Sequence, residues 1–175
     1  MCGGGIYGSL CLGTIDKEYC YDHDSLINIY GTLVLEGCGR RQFAPGVILY
    51  IGKNAELSLR GNFSASHDLK IYCRYKISIG KDNMWSYFVV VMDNDGHYIY
   101  NDVGKQINAN KEVVFGDHVW LGCRCTVLKG SHIPNGSVIG AGSTIRKVLQ
   151  STDSIYAGNG PLLIKKNVNW DRKLI

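Results

Sequence analysis

The chain has 175 residues, a length that suits one domain. Hydrophobic residues make up 45% and charged residues 19%, which supplies a core and excludes a disordered chain. The net charge is +4 with the basic residues scattered, so there is no dense stripe of the kind a nucleic-acid binder carries, and no apolar run of 18 residues offers a membrane-spanning helix.

Gly is frequent at 22 and Tyr at 11 outnumbers Phe at 4, while helix-forming runs are nearly absent. The expected class is all-β with many tight turns. The seven cysteines are irregularly spaced and form no C-x-x-C, so they read as reduced thiols in a cytoplasmic protein. Met1 to Tyr7 has neither a basic segment nor an apolar core and does not read as a secretory signal.

In chain order, Met1 to Asp24 shows no pattern and is taken as a cap. Ile27, Ile29, Leu33 and Leu35 alternate like a strand or an irregular first coil, giving an N-terminal segment 1–46. Ile51, Leu57, Phe63 and Leu69 then lie six apart, with Ala55 and Gly61 in a recurrent small position. The step from Leu69 to Ile79 is not a multiple of six, so one coil is irregular between Ile71 and Ile79. Ile79, Trp85 and Val91 resume the phase, closing a set of coils over 47–91. The segment 92–114 breaks the period with a long polar loop. From Phe115 six blocks follow without interruption, led by Phe115, Leu121, Val127, Ile133, Ile139 and Ile145, to residue 150. A closing segment, 151–175, ends the chain.

A period of six is neither helical nor simple strand alternation. A short strand followed by a sharp bend satisfies it. Three such units make a triangular coil, and coils stack at about the strand spacing of ~4.8 Å through parallel hydrogen bonds. The leading apolar residue points inward and the small residue fills the corner. The fourth position carries Asn54, Asp82, His118, Gly130, Gly136 and Gly142, residue types that tolerate positive φ at a bend.

The pattern resembles the hexapeptide-repeat acyltransferases, and the resemblance implies a left-handed parallel β-helix with one loop excursion and a short C-terminal tail. In that family an extended loop carries the catalytic His at a motif close to Asp-x-Asp-x-His-x-Ile, matched here by Asp93-Asn-Asp95-Gly-His97-Tyr-Ile99. The chemistry needs a base to take a hydroxyl proton as the oxygen attacks a thioester, and a donor for the oxyanion. By resemblance the base is His97 and the donor is the backbone N–H of Cys123, in Val119-Trp120-Leu121-Gly122-Cys123. Asp95 or Asp93 would orient the imidazole, or both act as turn formers. Cys123 as a covalent acyl carrier is disfavoured, since the family transfers directly.

Ile139-Gly140-Ala141-Gly142-Ser-Thr-Ile145-Arg146-Lys147 resembles the family's coenzyme A wall. The resemblance implies acetyl-CoA as co-substrate, held by Trp120, Gly122, Cys123, Gly140, Ala141, Gly142, Arg146 and Lys147. No metal is required, because no His pair has the spacing of the zinc-binding relatives. Tyr156 to Pro161 and the tail to Trp170 resemble the closing segment of saccharide-modifying members.

The pattern Asn83-Met-Trp85-Ser-Tyr87 looks closest to O-acetyltransferases of lipopolysaccharide or capsule assembly. Asn83, Trp85, Tyr87 and Ser66 are the candidate acceptor contacts, although Trp85 holds a leading position that suits the core equally, and Ser66 stands where galactoside and maltose acetyltransferases carry Asn. By resemblance the protein is a cytoplasmic homotrimer with active sites between subunits and a saccharide acceptor. An amine or xenobiotic acceptor, or a structural β-helix without activity, are the competing readings.

Overall fold

The computed structural model describes residues 10–12 and 24–173. The cap expected over Met1 to Asp24 lies outside them, apart from a strand at Leu10–Leu12 and Asp24 itself. Three sheets form the faces of a parallel β-helix. Face one stacks Leu10–Leu12, Arg41–Phe43, Phe63–Ala65, Met84–Trp85, Trp120–Leu121 and Val138–Ile139. Face two stacks Leu26–Ile29, Ile48–Ile51, Lys70–Cys73, Val90–Met92, Thr126–Val127 and Thr144–Ile145. Face three stacks Thr32–Glu36, Glu56–Arg60, Lys76–Ile79, Val113–Phe115 and His132–Ile133. The chain visits the faces in the order one, two, three and repeats, so each strand pairs with the third one along. Residues 26–43, expected as an irregular first coil, form a full coil in register with the next.

The leading residues are the core. Ile51, Leu57, Leu69, Val91, Leu121, Val127, Ile139 and Ile145 are completely buried, and each stacks on its counterpart in the adjoining coil. Phe43, Phe63, Trp85 and Phe115 form a continuous aromatic column with centroid separations of 5.1, 5.0 and 4.6 Å. The small position is buried too, and its serines have a reason to be serine. The hydroxyls of Ser131, Ser137 and Ser143 each donate to the carbonyl three residues earlier, at 2.6, 2.7 and 2.6 Å, which closes the corner with a side-chain hydrogen bond. All six fourth-position residues adopt positive φ, from 57° at Asp82 to 77° at Gly130. Gly61 is required for a different reason: a Cβ there would lie 1.5 Å from the Cys38 carbonyl oxygen.

Coil length varies with position. Val127 pairs with Ile145 at a separation of 18 residues, three ideal hexads, whereas Leu49 pairs with Ile71 at 22. The extra residues make wider corners, and buried polar groups fill them. Arg41 is fully buried and donates to the carbonyls of Leu59, Gly39, Gly37 and Glu36. Burial pulls its guanidinium below the usual range, and the four carbonyls offset the lost hydration. Beyond Ile145 the repeat ends. Leu149 turns inward to cover the last coil, Ser154–Ala157 rejoins face one, and Leu162–Lys166 pairs with it antiparallel.

Candidate active site

The long excursion leaves the helix between face two and face three. Val91 pairs with Val127 at 36 residues, twice the regular coil, so the loop is a full coil's worth of chain that makes no coil. Its root is Asp93. The carboxylate is buried and accepts the backbone N–H of Arg74 and of Tyr75, both at 2.8 Å, and the Cys73 thiol. Those residues are the irregular corner anticipated between Ile71 and Ile79. Burial, with the Asp93 carboxylate alongside, pushes the Cys73 thiol far above its ordinary range. Asn94 reinforces the root by donating to Tyr72 and Asp93 while accepting from Gly96.

Asp95 binds the Lys129 ammonium and accepts from the Asn108 amide at 3.0 Å, and these hold its carboxyl below the usual range. Asn108 also donates to the His97 carbonyl at 2.7 Å and accepts from the Ile99 N–H. The expected pairing of Asp93 or Asp95 with the imidazole is therefore corrected. Asp93 fastens the loop to the helix and Asp95 fastens it to Lys129, so both position the backbone that carries His97. The His97 ring is exposed and hydrogen-bonds to none of the described residues. It borders a cleft of about 110 Å³ with Arg74, Asn94, Tyr98, Gln106 and Asn110. Beyond the cleft the loop doubles back, with Tyr100 bridging Gln106, and presents Tyr98, Val103 and Ile107 to solvent.

Cys123 sits elsewhere, at the corner between faces one and two. Its side chain is half-buried, and its backbone N–H donates to no group among the described residues. Gly140, Ala141 and Gly142 occupy the same edge one coil on, in register with Gly122. Gly122 must be glycine because a Cβ would meet the Ala141 nitrogen at 2.6 Å, and Gly142 turns the corner with a φ of 70° that glycine adopts without strain. The result is an exposed, nearly side-chain-free strip. Arg146 and Lys147 are exposed at the other edge, between faces two and three, on the side of the loop. The residues expected to act together thus fall on two edges of one chain. The base side holds His97, Arg146 and Lys147, and the donor side holds Cys123 and the glycine strip.

Two proposed acceptor contacts are corrected to interior roles. Trp85 is in the aromatic column, and Asn83 is fully buried, its amide donating to the Gly80 and Gly116 carbonyls at 2.9 Å. Tyr87 and Ser66 do lie at the surface of the donor edge. There the Tyr87 ring stacks on His67 at 5.1 Å and Phe88 packs across both. Trp120 is exposed on face one, beside Trp170. Trp170 stacks on His118 at 4.0 Å and exchanges hydrogen bonds with it, while His118 bonds Asp82 and Arg172 clasps Asp82, Ser64, Asn62 and Asn83. His118 is thus a turn residue, as expected, and also the anchor of the C-terminal tail.

Arg74, Asn108 and Lys129 were missed from sequence. Lys129 had a visible signal, being a cation in the corner facing the loop; Arg74 and Asn108 had none, since neither falls in a repeat or a motif.

Residues 112–147 match the family described as bacterial transferase hexapeptide (six repeats). The chain is 33% identical over 131 residues to the polysialic acid O-acetyltransferase of Neisseria meningitidis, an alignment covering 74% of this chain and 61% of that one. A second relative, from Escherichia coli K12 and named for O-acetyl transfer in lipopolysaccharide biosynthesis, is 30% identical over 167 residues, covering 89% and 79%. Among solved structures, the polysialic acid O-acetyltransferase OatWY superposes with a TM-score of 0.61 at 26% identity, covering 97% of this chain and 91% of that one.

Proposed function

Because the chain belongs to the hexapeptide-repeat acetyltransferases, a family of acyl-CoA-dependent enzymes, we propose that it transfers an acetyl group from acetyl-CoA to a saccharide hydroxyl, with His97 as general base. The observation that carries the reading is the His97 ring itself. It is held over a cleft by a loop pinned at Asp93 and Asp95, yet its own nitrogens bond none of the described residues and can meet a substrate. A loop that served only as a connection would not need two buried or paired carboxylates and a buried Asn108 to fix its backbone.

In the reaction the acceptor hydroxyl gives its proton to His97 as its oxygen bonds to the thioester carbon. The Cys123 N–H meets the oxyanion. Collapse breaks the C–S bond, and the departing sulfur takes the proton from the imidazolium, leaving an acetyl ester and free coenzyme A. Gly140 to Gly142 offer a flat backbone wall to an extended pantetheine, and Arg146 and Lys147 suit its phosphates.

The two-edge distribution supports a homotrimer, in which the loop edge of one copy meets the donor edge of the next. The apolar side chains exposed along the loop, Tyr98, Ile99, Val103 and Ile107, fit burial against such a neighbour. No helix among the described residues is long and apolar enough to cross a membrane. The reduced thiols at Cys73, Cys123 and Cys125 fit a cytoplasmic location.

The test is thiol release from acetyl-CoA with a panel of sugars. General-base loss in His97→Ala predicts a fall of roughly 10²–10⁴-fold with the productive acceptor. Sedimentation measures the oligomer. A protein that neither binds coenzyme A nor releases it with any acceptor refutes the reading.

A further inference from the structure

The His97 cleft carries one charge that its walls do not neutralise. Asp95 is paired with Lys129, and the other lining groups are amides, a phenol and His97. Arg74 is different. Its backbone N–H is fixed by Asp93, its guanidinium lies 5.5 Å over the Tyr50 ring, and it forms no ion pair among the described residues. An arginine stacked on an aromatic face keeps its donor edge free and pre-oriented. Fixing it at the mouth of a cleft costs rotamer freedom that solvation alone does not return.

The ground below the cleft matches. Tyr50 and Tyr72 are register neighbours on face two, Tyr30 packs on Tyr50 at 5.9 Å, and Lys70 stands on the same face two residues from Tyr72. Lys53 is exposed at the same edge one coil from Arg74, and like Lys70 it forms no ion pair among the described residues. Tyrosine faces beside unpaired cations suit a carbohydrate that is flat on one side and anionic on another.

We propose that the acceptor is an acidic saccharide, and that Arg74 grips the carboxylate of the sugar whose hydroxyl faces His97, with Tyr50 and Tyr72 supporting the adjoining residue. This rests on the acetyl-transfer reading and adds the acceptor's chemistry to it. Arg74 is then a specificity residue. It binds substrate without taking part in proton transfer, so its effect falls on KM more than on kcat.

The test compares a sialic acid hexamer and a galacturonic acid hexamer, each with its carboxyl-reduced counterpart, as acceptors for wild type, Arg74→Gln and Arg74→Lys. The wild type is expected to prefer at least one acid over its reduced form. Arg74→Gln is expected to lower that preference roughly 10- to 100-fold, through KM, as for loss of a charge-assisted hydrogen bond, with partial rescue in Arg74→Lys. The Gln variant keeps the backbone N–H that Asp93 needs, and its melting temperature confirms an intact fold. An unchanged preference in Arg74→Gln overturns the proposal. So does equal use of the acids and their reduced forms, or use of neutral sugars with neither acid accepted. Where no acceptor releases coenzyme A and the protein does not bind it, it is the transfer reading that has failed. Whenever no acceptor releases coenzyme A, calorimetry with the same hexamer pairs decides the carboxylate claim: acid-selective binding lost in Arg74→Gln upholds it, and equal or absent binding overturns it.

Discussion

Asp93→Asn separates two roles that the motif alone confuses. The carboxylate takes the Arg74 and Tyr75 amides on separate oxygens while buried, and neither oxygen touches His97. The substitution keeps the volume, removes the charge and turns one oxygen into an NH₂ that faces a backbone N–H. One charge-assisted bond is lost and a buried donor is left unpaired, at a cost of about 3 kcal/mol. For a chain of this size that lowers the melting temperature by about 6–12 °C. Circular dichroism melts measure the loss, and the pH profile of kcat/KM at low temperature measures any effect on the base. The reasoning is refuted if the variant melts within about 2 °C of wild type while the ionisation seen in the profile moves. That result would make Asp93 an orienter of the imidazole, and the amide contacts incidental.

The thiols should separate by reactivity. Burial pushes Cys125 up to about 11 and Cys73 higher still, so maleimide at neutral pH should modify half-buried Cys123 before either of them, as read by peptide mass. The C-terminal clasp should open in acid. Burial would raise the Asp82 carboxyl, but the Arg172 and His118 bonds outweigh it and hold the group below its ordinary range. A carboxyl lowered by folding contributes stability above its unfolded value near ~3.9 and loses it as pH falls through the folded one. Hydrogen exchange at 170–173 should therefore accelerate below about pH 4 in wild type, with little further pH response in Asp82→Asn. Gly61→Ala should lose more than about 3 kcal/mol by denaturant titration, because its Cβ would overlap the Cys38 carbonyl and the corner has to open.

The C-terminal coils were legible because each leading residue there meets the same environment every 18 residues, which forces a written period, whereas the wider N-terminal coils keep it only in part. The corners were legible for the same reason, since positive φ restricts residue choice wherever it recurs. The site was legible to the extent that it copies a motif. His97 stands at the break, but Asp93 and Asp95 have partners set by tertiary position, in Arg74 and Lys129, far from the motif in sequence. Trp85 and Asn83 misled because a large or polar side chain near a base has the composition of a binding site whether it points out or in. Only the register of face one, with Trp85 opposite Ala65 and Leu121, places Trp85 inward. Arg41 is a parallel case: a charge inside the helix is visible only once four carbonyls surround it.

The separation of His97 and Cys123 onto different edges has a genetic signature. A site assembled across two copies needs an intact loop from one and an intact corner from the other, but never both from the same chain. Two inactive alleles, His97→Ala and Cys123→Pro, would then complement each other when co-expressed. Random mixing leaves roughly a quarter of the junctions with both intact halves, so about that share of activity should return from chains that are each dead alone. Inheritance of function would follow the junction between chains, so a defective loop allele and a defective corner allele would complement each other although neither supports activity alone.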